Sequence, residues 1–393
     1  MYTPFFRYRP TLVLERFEPT PILHTFGDLK AYHPQKAIDE ATPTLYRYID
    51  YLDSGLQRLD LCSRVEHTGS VWDGVKVSND TEFDVMMIKT EEDIQATPAS
   101  SPGYYLLKND NDRCISPESK VAEFCGTLQK LINNHGEMSR LVKLRYHGPA
   151  IQIDVHRDET DKRRNNVWFP VDVVLSYEVK LQRRKRIFVA KPLESDSETW
   201  RISYSLEEKE LFNGMDDDDG CRKKVLRILK VWRNGEVAMH PLTSYHLKTA
   251  LFYEVKKVDD WSQSELGPRV FGVLSRLQLA MEESYQPHYF EPQINLLSRI
   301  SDQTIADIGY RLKRIVTSEA AFKSAFRVII TECARYDNVV ELPSRGSCSD
   351  DYGSTNVCAR VCAFACKFLL CVFIILSCFI LFVFLYIATH RVR

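Results

Sequence analysis

The sequence predicts an α+β protein in two parts, a mixed sheet with helices followed by an all-helical lobe, with one transmembrane helix near the C-terminus. Three observations carry this. Short stretches between Val75 and Glu178 alternate apolar and polar residues with the period of half-buried strands. From Arg222 onward the apolar residues recur instead at spacings of three and four, as on one face of a helix. Between Lys367 and His390 no residue is charged, and the run is long enough to cross a hydrocarbon core of about 30 Å.

At 393 residues the chain has room for two domains and a large core. Lys plus Arg number 52 and Asp plus Glu 53, so any nucleic-acid contact must come from local patches and not from an overall basic excess. The 11 cysteines are irregularly spaced and more than half lie from Cys348 onward, which points to reduced thiols and not to a disulfide framework. Charges run through the first twenty residues, so they do not read as a signal peptide.

Taken in order, residues 1–41 form an irregular lead-in and residues 42–215 the α/β part. Thr42-Pro43 reads as a cap followed by Pro at the first helical position. Leu45, Ile49, Leu52, Leu56 and Leu59 then form the stripe of one long helix. Strands are expected near 75–77, 83–89 and 104–107, with a polar loop over 91–101. A helix capped by Ser116 follows, then strands at 142–145, 151–155 and 168–178. The acidic run Asp216–Asp219 marks the boundary to the helical lobe, residues 220–336. Residues 337–367 read as a linker, 368–389 as a tail anchor that leaves the body in the cytosol, so the protein is expected at a membrane. The cysteines at the edge of that segment read as small apolar fillers, with palmitoylation as the alternative.

The chemistry concentrates at His67–Lys89. A Gly69-Ser70 turn precedes Glu82-Phe83-Asp84, and in a strand Glu82 and Asp84 point to one face. Two carboxylates held together need a cation between them, most simply a divalent metal with hard oxygen ligands, as metal-assisted phosphoryl transfer requires. A bare Glu-x-Asp is more often a solvated strand edge. Asp172, alone in the apolar strand Pro170–Leu175, supplies the natural third ligand, because an unpaired carboxylate in such a strand is costly to ionise.

Gly69-Ser70, Glu82-Phe83-Asp84, Asp172 in PVDVVL, WRISYS at 200–205, VLRILKVWR and SYHLKTALFYEV at 244–255 occur in this order. Together they resemble the male-abnormal-twenty-one nucleotidyltransferase family, and within it the cyclic GMP–AMP synthase-like receptors, over roughly residues 42–335. The resemblance implies a bilobal unit, with a nucleotidyltransferase core, a lobe of the helix-hairpin-helix type and the active site between them. It implies that Glu82, Asp84 and Asp172 hold two Mg²⁺ (or Mn²⁺) ions and that Gly69 and Ser70 hold the donor triphosphate. Arg201, Ser203 and Ser205 would contact the nucleotide pair, Lys230 and Ser244 the phosphates, and Tyr245 would stack on a base.

The resemblance further implies ATP and GTP as substrates and a cyclic dinucleotide as product. The DNA-sensing vertebrate synthase has a zinc-binding insert after its counterpart of WRISYS. Here that interval holds one cysteine, Cys221, and no histidine, so no structural zinc is expected. Double-stranded RNA or a similar ligand is the expected activator. Arg183, Arg184, Lys185, Arg186, Arg222, Lys223, Lys224 and Arg227 are the candidate contacts, or else an ordinary solvated charge run. A non-catalytic, membrane-anchored adaptor of the same fold is the alternative function, and the oligomeric state is left open.

Overall fold

A computed structural model describes residues 35–77, 82–147 and 150–326. The expected lead-in up to residue 34, the 337–367 linker and the 368–389 membrane segment lie outside the described residues. Among the described residues no helix is long and apolar enough to cross a membrane.

The chain opens with a long helix, α1 (Gln35–Arg58), followed by β1 (Arg64–Thr68), β2 (Phe83–Glu91), β3 (Gln95–Pro98) and β4 (Tyr104–Lys108). Then come α2 (Pro117–Asn134), the short α3 (Met138–Leu141), β5 (Val142–His147), β6 (Ala150–Val155) and α4 (Glu159–Arg164). The long strand β7 (Phe169–Leu181), β8 (Arg184–Val189), β9 (Thr199–Ser203) and α5 (Ser205–Phe212) complete the α/β part. The helical part contains α6 (Arg222–Gly235), α7 (Ser244–Lys257), α8 (Leu266–Glu282), α9 (Asp302–Thr317) and α10 (Glu319–Ala325).

The nine described strands form one mixed sheet in the order β1-β2-β7-β8-β9-β4-β3, with the β5-β6 pair joined to β7 through β6. β7 is the hub. It runs parallel to β2 over Phe83–Glu91 and antiparallel to β6 and β8. On one face, Phe83, Val85 and Met87 of β2 pack in the core that contains Leu45, Leu52 and Leu56 of α1 and Phe124 and Leu128 of α2. On the other face Met86 and Ile88 meet Ile187 and Val189. The helical part has its own core, in which Val225, Leu229 and Trp232 of α6 join Leu247 and Leu251 of α7 and Leu274 and Leu277 of α8. Two residues of the α/β part, Val75 and Phe212 of α5, are buried in that second core.

Three expectations need correction. The first long helix does not start at Pro43: it already runs at Gln35, with Pro43 inside it. Proline removes the amide that would bond the carbonyl of Asp39. Asp39 and Pro43 are both exposed, so water can satisfy that carbonyl, while Ile38 and Ala41 extend the buried stripe. Residues 75–77 are not a strand; Asp73 N–H donates to Gly69 O and Val75 N–H to Ser70 O, curling 69–75 into a compact loop. The polar stretch 91–101 contains β3, an exposed strand paired only with β4. The acidic run has a local function besides marking a loop. Asp216 accepts from Arg222 N–H (3.0 Å) and Lys223 N–H (2.9 Å), capping α6, and Asp218 holds the Arg222 guanidinium with both oxygens.

Candidate active site

The register of three neighbouring strands builds the acidic cluster. Thr68 of β1 faces Asp84 of β2, Asp84 faces Asp172 of β7, and Asp172 faces Gln152 of β6. Residues opposite one another in a sheet share a face, and adjacent strands are about 4.8 Å apart. One row across the sheet therefore presents the two aspartates side by side, with Gln152 next to them. Glu82 lies just before β2, and its charge and side chain act on the Asp172 carboxyl.

Burial, with the charge of Glu82 beside it, pushes the Asp84 carboxyl up to about 6; Lys76, Lys191 and Lys248 act the other way. Asp172 is raised as well, first by burial and then by the charge and hydrogen bond of Glu82 and the charge of Asp84. These acids resist ionising together, which is the electrostatic condition a cation relieves.

The Gly-Ser loop sits directly against them. Gly69 has φ +84°, and a Cβ there would collide with the Asp84 carboxylate. Glycine is thus required for both its backbone conformation and its lack of a side chain. Gly69→Ala is expected to lower product formation at least about a hundredfold by displacing Asp84, as measured by turnover of labelled nucleotides, while wild-type turnover would show that this close approach is dispensable.

The helical part holds the loop from the other side. Arg227 of α6 donates to Gly74 O (2.8 Å) and Lys230 to Val75 O (2.7 Å). Lys248 of α7 bridges Asp73 (3.0 Å) and Glu208 of α5 (2.8 Å). Burial, with Lys248, Lys76 and Arg233 adding like charge, lowers the Lys230 amine to about 7. Two basic residues of α6 are therefore turned toward the loop. Arg227 and Lys230 clamp the loop, and Arg227 is not an open surface cation.

The remaining expected site residues are placed as follows. Ser203 Oγ lies 3.0 Å from Ser205 Oγ, where β9 passes into α5. Arg201 is exposed, and its charge lowers Lys191 and His288, which places it beside both. Ser244, in the first turn of α7, accepts from Arg233 (3.2 Å). Tyr245 is half-buried, with its hydroxyl 2.7 Å from His288 Nε2.

Among the candidate RNA contacts, Arg186 pairs with Glu207 (2.9 Å), Arg222 with Asp218, and Lys185 with Glu92 (3.4 Å) and Glu178 (3.5 Å). Arg183 and Arg184 are exposed at the β7–β8 turn, and Lys223 and Lys224 are half-buried.

Residues absent from the sequence reading complete the site: Asp73, Gln152, Lys191, Glu208, Lys248 and His288. Lys191, at the end of β8, is lowered by burial and by Arg201 and raised by Asp84 and Asp172, so it stands next to the acids. Isolated residues of these types carry no motif. Their signal is a partner far away in sequence.

A metal fits the acids on three counts: the donors are hard oxygens, two are fixed by strand register, and their ionisation is opposed by burial and mutual repulsion. Among the described residues no three His, Cys, Asp or Glu side chains already converge as a metal cage. The Glu82 carboxylate also lies 3.9 Å from Lys76 Nζ.

A mixed sheet with paired acids beside a Gly-Ser loop, packed against a helical part, is the arrangement expected of the nucleotidyltransferase class. Comparison with known proteins refines this. Residues 221–314 match the family described as Mab-21 protein HhH/H2TH-like domain. The chain is 32% identical over 287 residues to cyclic GMP-AMP synthase-like receptor 3 of Stylophora pistillata, covering 65% of this chain and 82% of that one. The chain belongs to the Mab-21 nucleotidyltransferase family, alongside the cyclic GMP–AMP synthase-like receptors.

Proposed function

We propose that this protein joins ATP and GTP into a cyclic dinucleotide second messenger, as a membrane-tethered innate immune sensor of double-stranded RNA. The observation that carries the catalytic part is the register of Asp84 against Asp172, with Gly69 packed on Asp84. Two Mg²⁺ ions on Glu82, Asp84 and Asp172 would offset the triphosphate charge and lower the pKa of the attacking hydroxyl.

The chain's own residues do the rest. The N–H groups and hydroxyl of the Gly69-Ser70 turn receive the donor phosphates, and Lys230 and Ser244 add a cation and a donor. Arg201, Ser203, Ser205 and the ring of Tyr245 orient the bases. For RNA, Arg183 and Arg184 supply phosphate contacts that read charge and shape without reading sequence. The apolar, uncharged segment 368–389 supports attachment to a membrane with the catalytic part in the cytosol.

The test incubates the full chain in detergent with labelled ATP and GTP, Mg²⁺, and double-stranded RNA or none. A cyclic dinucleotide that increases with RNA is expected. Nucleotide binding with no product under any condition would support the adaptor reading. RNA binding should also lose affinity steeply with salt, and reversing charge at Arg183 and Arg184 should reduce that slope.

A further inference from the structure

His288 lies in the irregular segment between α8 and α9, 43 residues from Tyr245, and its contacts determine its chemistry. The backbone N–H groups of Phe290 and Glu291 both point at Nδ1, each at 3.2 Å. A nitrogen that accepts two donors carries no proton, so the neutral ring holds its proton on Nε2. Burial, with Arg201 nearby, lowers this imidazole to about 4, which keeps it neutral at pH 7.

The Nε2–H therefore donates to the Tyr245 hydroxyl oxygen at 2.7 Å. The tyrosine's own proton is left to the nearby Glu208 carboxylate, whose charge, after burial, raises the hydroxyl's pKa. Glu208 is held in turn by Lys248, and Lys248 by Asp73 of the Gly-Ser loop. The imidazole also lies against Tyr204 (ring centroids 4.9 Å apart), whose ring stacks on Phe290 at 5.2 Å and whose hydroxyl donates to Glu291. The histidine is thus fixed on both of its nitrogens and on its face.

We infer that His288 is a positioning residue: by donating Nε2–H to Tyr245 it fixes the ring on which a nucleobase stacks and ties that ring, through Glu208 and Lys248, to the loop that receives the donor phosphates. The inference rests on the nucleotide-binding reading above and adds to it the residue that orients the stacking ring.

Two substitutions separate positioning from mere structure. The amide oxygen of His288→Asn can replace Nδ1 and keep the bonds to Phe290 and Glu291, but its amide does not reach Tyr245. His288→Gln places an amide nitrogen near the position of Nε2 and keeps the donor to Tyr245.

With the full chain in detergent and Mg²⁺, calorimetric affinity for ATP and GTP and steady-state KM and kcat are measured. His288→Asn is expected to weaken binding and raise KM about threefold to tenfold, with kcat within about twofold, the worth of one hydrogen bond. His288→Gln is expected to restore both. The reverse order, or no change in His288→Asn, would overturn the inference while the wild type still binds nucleotide.

Absence of binding by the wild type would instead overturn the nucleotide reading. The imidazole nitrogen shifts then judge the positioning by themselves. A protonated Nε2 and bare Nδ1 are expected, and a proton on Nδ1 would contradict the hydrogen-bond direction.

Discussion

Asp172→Asn should abolish product formation, by about a thousandfold or more, while leaving the protein folded and somewhat more heat-stable. The substitution keeps the size and planarity of the side chain, so the register of β7 with β2 and β6 survives. What it removes is one of the negative charges that Asp84 and Glu82 face across the row. Like charges in a half-buried site oppose folding, so losing one relieves strain that serves only function. The same loss leaves too little charge to hold two divalent ions, and catalysis through those ions fails. Activity with and without excess Mn²⁺, together with the melting temperature, checks both halves. A variant that is inactive because it is unfolded would refute the stability half.

Lys230→Met is expected to act on two observables. The buried amine is lowered to about 7 in the folded protein and lies near 10.4 in the unfolded chain. Between those values the unfolded chain binds more protons, so stability rises with pH across that window, and the burial penalty is present in full below it. Lys230 contributes on the order of 1 kcal/mol per pH unit at most to that slope. The methionine variant should therefore show a flatter rise of stability from pH 7 to 9 than the wild type. It should also bind nucleoside triphosphate at least about tenfold more weakly, since a charge-assisted contact is lost. Denaturant titrations at several pH values give the first, calorimetry the second. An unchanged slope would mean that the amine is solvated.

The elements of the site differed in how legible they were. Gly69-Ser70 with Glu82 and Asp84 could be read because their spacing is local, and Asp172 because a lone acid in an apolar strand is anomalous. Their adjacency follows from strand register, which local spacing does not encode.

The helix of Arg222–Gly235 was readable from its period, but Arg227 was expected to contact RNA and Lys230 the nucleotide phosphates. Their actual partners are the carbonyls of Gly74 and Val75, about 150 residues earlier in the chain. The Lys248 bridge joins Asp73 and Glu208, and His288 is tied to Tyr245. The contacts of Arg227, Lys230 and Lys248 come together only when the helical part packs against the α/β part, and the His288–Tyr245 pair only when the helical part folds on itself. Pro43 misled in the opposite direction: the rule that proline opens a helix yielded to a buried stripe that begins at Ile38.

The central claim is that Glu82, Asp84 and Asp172 form a two-metal site for nucleotide chemistry. Its most direct measurement is a crystal of the protein grown with Mn²⁺ and a non-hydrolysable ATP analogue, examined by anomalous scattering at the manganese edge. Two peaks bound by Asp84, Asp172 and Glu82, with the triphosphate on the Gly69-Ser70 turn, are predicted. A triphosphate bound elsewhere, or manganese absent from the row between Asp84 and Asp172, would contradict the account.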